Sequence, residues 1–310
     1  MPQAIKCATV PLSAMPGTKG GPAYRLSWAT DIHLDQCAPE AFATFIEALR
    51  AENPDGICLT GDLSEAPRLQ ADLERVAEAV GVPVYFVLGN HDYYHGSIAE
   101  VREAMTRLTA THPLLRWLPA TSEAAGIALG PNTRLIGHGA WGDGGNGNIR
   151  ESWIRLQDFR KIAELNVANG TANGEADALS PEERKARPIT EALIEVLQQL
   201  GQEAADFLKP RLLHALQAAP QVFLLMHPPP FREACLYGTE MADDHWAPHF
   251  TCKAVGDMLI DVMAQHPEHQ LTVLAGHTHN VHDAFVHPNI RVCVGAAEYG
   301  HPAVAQRFML

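Results

Sequence analysis

The sequence predicts an α/β fold, with helices layered around a central sheet. Two observations carry this. Short apolar runs such as Gly56–Thr60, Val82–Leu88 and Gln221–Met226 alternate with amphipathic helical stripes. The 310 residues, 46% hydrophobic and 19% charged, have the make-up of an ordinary folded chain and suffice to bury a large core.

Taken in order, Tyr24–Thr30 reads as a strand and Pro39–Ala51 as a helix with Phe42, Phe45, Ile46 and Leu49 on one face. Gly56–Thr60 is a strand, and Pro67–Val80 a helix with Leu69, Leu73, Val76 and Val80 on its stripe. Val82–Leu88 is the third strand. Ser97 stands as N-cap to a helix reaching Thr109, with Glu100 completing a capping box. Strands near Gly126–Leu129 and Arg134–Ala140 follow, then the glycine- and asparagine-rich loop Gly142–Asn148. Trp153–Val167 reads as helix, Asn169–Pro188 as a polar excursion, and Ile189–Ala218 as helix with a break near Gly201. Gln221–Met226 and Leu271–Ala275 are strands separated by a helix over Lys253–Gln265, and Ala284–Val286 with Ile290–Val294 form a closing hairpin.

Several function classes are disfavoured. The formal charge of −13, from 36 acidic against 23 basic residues, repels a phosphate backbone, so nucleic acid is an unlikely partner. No apolar run reaches the roughly 18–20 residues of a membrane span, and Met1–Lys19 lacks a signal-peptide pattern, so the expected location is the cytoplasm. The six cysteines form no C-x-x-C pair, and Cys58 and Cys293, inside apolar runs, read as core residues. Gly137–Gly142 matches G-x-G-x-x-G, but Asp143-Gly144-Gly145-Asn146-Gly147 is a poor helix start for a dinucleotide site. There is no phosphate loop ending in G-K-[ST] and no G-x-S-x-G elbow.

The chemistry stands at strand ends. Five strands run into Asp31-Ile32-His33, Gly61-Asp62, Gly89-Asn90-His91-Asp92, His227, and Gly276-His277-Thr278-His279. Loops at the carboxyl edge of an open sheet converge on one crevice. Asp31 with His33, and His277 with His279, are two apart, and in extended chain such residues point the same way. Glycines 61, 89 and 276 precede ligands and allow tight turns beside a crowded centre. Carboxylate, imidazole and amide oxygen together suit Mn, Fe, Zn, Ni or Co. Two such ions give a locally positive pocket inside an acidic protein and a nucleophile from water at neutral pH.

In this order, D-x-H, G-D, G-N-H-D, a lone H and G-H-x-H resemble the motif set of calcineurin-like metallophosphoesterases, from Asp31 to His279. The flanks GDLSE, MHPPPF and GHTH are most similar to bacterial class III cyclic-nucleotide phosphodiesterases. The resemblance implies a four-layered α/β/β/α sandwich, here one domain over residues 1–310 with a helical insertion at 142–219. It implies two divalent transition-metal ions, Mn or Fe favoured. One would be held by Asp31, His33, Asp62 and His279, the other by Asp62, Asn90, His227 and His277, with Asp62 as bridge. His91 would be the catalytic histidine and Asp92 a supporting residue. The implied reaction is hydrolysis of a small-molecule phosphate ester by a metal-bridging hydroxide, phosphodiester ahead of monoester. A phosphomonoesterase or nucleotide pyrophosphatase is the alternative, and a non-catalytic scaffold the rival of another class. The insertion is expected to be either a helical buttress on the sheet or a cap over the metals. Arg232, Tyr237 and Trp246, in the loop after His227, are candidate contacts for phosphate and an organic group. The oligomeric state is left open between monomer and homo-oligomer.

Overall fold

The computed structural model describes residues 23–170, Glu182 and 187–310. Met1–Lys19, Cys7 and most of the stretch 169–188 lie outside them.

Two sheets face each other. The first, with strands numbered in chain order, holds β1 (Arg25–Ala29), β2 (Gly56–Thr60), β3 (Val84–Val87) and β4 (Leu115–Trp117) in parallel, with β13 (Gln306–Met309) antiparallel against β1. The second contains β5 (Ile127–Ala128), β6 (Thr133–Gly137), β7 (Gln221–Leu225), β10 (Gln270–Ala275), β11 (His282–His287) and β12 (Ile290–Val294) in the order β11-β12-β10-β7-β6-β5. Its four inner strands are parallel and its two edge strands antiparallel. The strands β8 (Leu236–Tyr237) and β9 (Glu240–Met241) form a separate small hairpin. Strands such as β2, buried along their whole length, are apolar on both faces because each face is covered.

Between the sheets lie Leu26, Trp28, Cys58, Val87, Phe223, Leu225, Leu274, Cys293 and Phe308. The Trp28 indole donates to Thr60 Oγ1 at 2.9 Å, and Phe223 meets Phe308 edge-on at 5.2 Å. Cys58 and Cys293 are both buried in the inter-sheet core, as their apolar flanks suggest. Helices α1 (Pro39–Arg50), α2 (Ala66–Val80) and α3 (Ile98–Thr111) cover the outer face of the first sheet. The second sheet's outer face is covered by α7 (Lys253–Met263) and the second half of α6 (Glu191–Ala218). This is a helix–sheet–sheet–helix stack. Ser97 caps α3 by accepting from the Glu100 amide at 3.2 Å.

The segment 142–219 divides into parts. Leu193, Ile194, Leu197 and Leu200 pack with the first sheet's helical layer, whereas Ala204 through Leu216 pack on the second sheet, so α6 spans both cores. It continues through Gly201 without the expected break. A Cβ there would lie 2.5 Å from Asp143 Cβ, so this glycine serves close packing. The expected helix over Trp153–Val167 is instead two short helices, α4 (Asp158–Lys161) and α5 (Ala163–Ala168), parted at Ile162. Ile162 bridges to Gly96, and the amides of His95 and Ala163 bond to Lys161 and Gly96 carbonyls at 2.8 and 3.1 Å. Those tertiary pairings override local helical preference. The sequence also gave no sign of β4, β13 or the β8–β9 hairpin. No helix opens after Gly137–Gly142, and no described helix is long and apolar enough to cross a membrane.

Candidate metal centre

The loops after β1, β2, β3, β7 and β10 meet where the carboxyl edges of the two sheets come together. Those after β1 and β2 remain zipped beyond the sheet, with the amides of Asp31, His33 and Leu34 donating to the carbonyls of Gly61, Asp62 and Leu63 at 3.0, 3.0 and 2.8 Å. The expectation of extended backbone at the i, i+2 pairs is wrong. Asp31, His33, Asp62, His277 and His279 all have positive φ, between 38° and 68°, and with this left-handed backbone Asp31 and His33 join one group of donors while His277 and His279 face different ones. Such conformations cost about 1–3 kcal/mol each for non-glycine residues and persist where surrounding bonds enforce them. Gly276 yields to crowding: a Cβ there would sit 2.0 Å from both Asp31 Oδ2 and Thr30 Oγ1.

Backbone groups aim the two aspartates. The His277 amide donates to Asp31 at 3.0 Å and the Thr30 hydroxyl to Asp31 Oδ2 at 2.6 Å, while the His91 amide donates to Asp62 Oδ1 at 2.9 Å. Two groups of side-chain donors result. In each of Asp31/His33/Asp62/His279 and Asp62/His227/His277, the ligand atoms lie within 4.8 Å of one another, and Asp62 belongs to both.

The hydrogen bonds behind these atoms test whether the residues fit metal ions. His227 Nδ1 lies 2.9 Å from the Thr60 carbonyl, which can only accept, so the proton sits on Nδ1 and the Nε2 lone pair faces inward. His277 Nε2 likewise meets the His249 carbonyl at 3.1 Å, turning Nδ1 inward. The Asn90 amide donates to Asp158 Oδ1 at 2.8 Å, leaving its carbonyl oxygen facing the same point. His227 Nε2 then lies 3.1 Å from Asn90 Oδ1, 3.1 Å from His277 Nδ1 and 3.2 Å from Asp62 Oδ1. Four electron-rich atoms thus converge with no hydrogen between them, an arrangement that a cation reconciles.

Charge says the same. Burial opposes ionisation of Asp62, but the neighbouring His227, His91 and His33 hold its carboxyl well below the usual carboxylate range. Burial would lower His227, yet the charges of Asp62 and Asp31 push it up to about 10, so without a metal a proton takes the cation's place. Burial together with the His227 charge pushes His277 down to about 3.

Asp92, completely buried, accepts from the amides of Leu63, Ser64 and Gly89 at 2.7, 3.0 and 2.7 Å and so ties the second loop to the third. Burial and the Asp62 charge push its carboxyl up to about 8 against those three donors. His91 stands at the pocket side, 3.9 Å from Asp62 Oδ2 and stacked on Tyr94 at 4.2 Å. Tyr237 and Trp246 line the pocket. Arg232 does not: its guanidinium is spent on the Ala242 carbonyl at 3.0 and 3.1 Å and on Asp244 at 2.6 Å.

Three residues at the site escaped the sequence reading. Asp158, at the start of α4, holds Asn90 and accepts from the Tyr94 hydroxyl at 2.7 Å. Tyr299 covers His33 and His279 at 4.5 and 5.2 Å. Tyr94 alone carried a signal, following the G-N-H-D block two residues on.

A family model described as "Calcineurin-like phosphoesterase" matches residues 25–281. The chain belongs to the calcineurin-like phosphoesterase family. Dinuclear metal-dependent hydrolysis of phosphate esters is the class that goes with that name, and the two Asp/His groups are its expected metal-binding feature. Among curated proteins, this calcineurin-like phosphoesterase is 38% identical over 79 residues to UDP-2,3-diacylglucosamine hydrolase of Stenotrophomonas maltophilia, covering 22% of this chain and 32% of the other. It is 29% identical over 102 residues to the putative metallophosphoesterase F40B5.2 of Caenorhabditis elegans, covering 31% and 20%. The chain thus spans about a third or less of the length of these relatives. Two solved structures share the fold: phosphopantetheinyl hydrolase of Mycobacterium tuberculosis (TM-score 0.57, 13% identity, covering 91% of this chain and 92% of that one) and a dimetal phosphatase of Danio rerio (TM-score 0.53, 15% identity, covering 94% and 93%).

Proposed function

We propose that this protein hydrolyses phosphate esters, diesters ahead of monoesters, at a centre of two divalent metals, with Mn or Fe the favoured ions. One ion would be held by Asp31, His33, Asp62 and His279, the other by Asp62, Asn90, His227 and His277. The observation that carries the reading is the convergence of His227, His277, Asn90 and Asp62 lone pairs, each histidine and the asparagine fixed from behind by a hydrogen bond. When bound, the ions activate water and neutralise phosphoryl charge.

The chain's own residues do the rest. Asp62 faces both positions; Asp92 fixes the loops that carry Asp62 and Asn90. His91, partly open to the pocket and stacked on Tyr94, is placed to give a proton to the departing alkoxide. The preference for diesters is supported by the pocket wall, where no described lining residue is Lys or Arg. A monoester's second negative charge would find no Lys or Arg side chain to pair with there, and neither would the extra phosphate of a pyrophosphate. The segment 142–219 serves this single-domain arrangement twice: α6 buttresses the sheets, and Leu156–Asp158 form one wall of the pocket.

The test is metal analysis of purified protein with hydrolysis of bis-p-nitrophenyl phosphate and p-nitrophenyl phosphate, with and without Mn²⁺. Two metals per chain and Mn²⁺-dependent turnover, faster on the diester, are expected. Faster monoester turnover would reverse the preference, bound metal without turnover would favour the scaffold reading, and no metal after Mn²⁺ loading would overturn both.

A further inference from the structure

The pocket beside the metal-facing residues encloses about 580 Å³, and its wall away from them is aromatic. Tyr237 and Trp246 stack with ring centroids 4.9 Å apart and planes 20° apart. Trp246 meets Phe250 at 5.5 Å, and Phe250 lies 4.5 Å from the His277 ring. One row of rings therefore runs from the rim to a metal-facing histidine. Tyr299, a further lining residue, lies over His33 and His279.

The row is built to stay in place. Tyr237 sits on the β8–β9 hairpin, whose far end is tied by the Ala242 amide to the Cys235 carbonyl at 2.9 Å and by Arg232 to the Ala242 carbonyl. Asp243 accepts from the amides of His245 and Trp246 at 2.8 and 3.0 Å, fixing the turn that presents the indole. Yet Tyr237 is 62% exposed and Tyr299 48%. Trp246 and Phe250 anchor the row on Cys235, Ala242 and Ala247, whereas Tyr237 and Tyr299, this open at a pocket, do little for the core and are suited to a ligand.

Building on the phosphoesterase reading above, we propose that this row is the subsite for a flat aromatic or heteroaromatic group carried on a single phosphoryl centre. Its preferred substrates are phosphodiesters bearing a planar ring, over simple aliphatic esters. Selection comes from ring stacking and apolar contact, since the wall offers no cation to pair with further phosphates.

The test compares phenyl p-nitrophenyl phosphate with methyl p-nitrophenyl phosphate on the Mn²⁺-loaded full chain. Both are singly charged diesters with the same leaving group, so their ratio of kcat/KM reports only the retained group. A ratio of about ten in favour of the phenyl ester is expected, falling toward one in Tyr237→Ala and surviving in Tyr237→Phe. A ratio near one in the unaltered protein, or one indifferent to Tyr237→Ala, would overturn the subsite while leaving the phosphoesterase reading intact. If neither ester turns over, that reading fails instead. Calorimetric binding of phenylphosphonate and methylphosphonate then decides the subsite: tighter phenyl binding that Tyr237→Ala abolishes supports it, and equal binding overturns it.

Discussion

Asp158 reaches the centre from the segment 142–219 and holds Asn90 in the only orientation that turns its carbonyl oxygen inward, which makes Asp158→Asn an informative change. Asp158 Oδ1 accepts two short bonds, from Asn90 Nδ2 at 2.8 Å and the Tyr94 hydroxyl at 2.7 Å. Burial raises the carboxyl's pKa, while Tyr94, the His91 charge and Asn90 act to lower it. Asparagine keeps the volume and one acceptor oxygen, so the fold should survive. What changes is the charge assistance, worth about 1 kcal/mol for each of the two bonds. A combined loss of about 2 kcal/mol corresponds to roughly 30-fold, within the 10–100-fold range for residues that orient metal ligands. Titrating Mn²⁺ into apo-protein by calorimetry, with chelator competition, should show one of two binding steps weakened by about that factor and the other unmoved. The unmoved step belongs to Asp31, His33 and His279, which Asp158 does not touch. Equal weakening of both steps, or of neither, would refute the claim that Asp158 acts through Asn90. Tyr94→Phe, which removes one donor and keeps the ring against His91, should give a smaller shift of the same step.

Other changes probe other parts. His91→Asn should lower turnover by about 10²–10⁴-fold while metal analysis still finds the content of the unaltered protein; equal loss of both would remove His91 from the proton-transfer role. Gly276→Ala places a methyl 2.0 Å from Asp31 Oδ2, so Asp31 must move, and mass spectrometry of the metal-loaded protein should find about one ion per chain instead of two. His138 tests stability rather than catalysis. Burial, aided by the charges of Arg102 and Arg211, pushes its pKa from the ordinary 6.5 down to about 3, and its Nδ1 accepts from the Ala140 amide at 3.0 Å. The unfolded chain takes up this proton below pH 6.5 and the folded one does not, so its contribution is complete above 6.5 and shrinks as pH falls. By pH 5 the loss is about 1.5 × 1.36, or about 2 kcal/mol. His138→Asn, which keeps an acceptor for Ala140, should remove about that much of the fall in urea-derived unfolding free energy between pH 7.5 and 5, and identical pH slopes in both proteins would count against it.

How far the sequence revealed this site depended on how local each cause was. Asp31, His33, Asp62, Asn90, His227, His277 and His279 could be read because each follows a strand, and parallel strands deliver their carboxyl ends to one edge whatever the remaining topology. The geometry that joins them was not legible. Positive φ at five of these seven residues goes with bonds between loops, as when the Asp31 and His33 amides donate to the Gly61 and Asp62 carbonyls, and nothing in D-x-H or G-H-x-H announces it. Arg232 failed for the same reason: its guanidinium was claimed by Ala242 and Asp244, ten and twelve residues away.

Asp158 marks the outer limit of such reading. It lies 68 residues from Asn90 and 64 from Tyr94, inside what reads as one continuous helix. The pairing of Ile162 with Gly96 is an interruption that ends α4, and the short helix so delimited sets its first residue against Asn90. The interruption and the reach of Asp158 are thus linked: Gly96 lies six residues after Asn90, so the pairing fixes α4 to the same loop that carries the metal-facing amide. The segment that departs most from the motif set is thereby joined to the centre it surrounds. A change that loosens the Gly96–Ile162 contact should then be felt at the Asn90-bearing position before it is felt in the sheets.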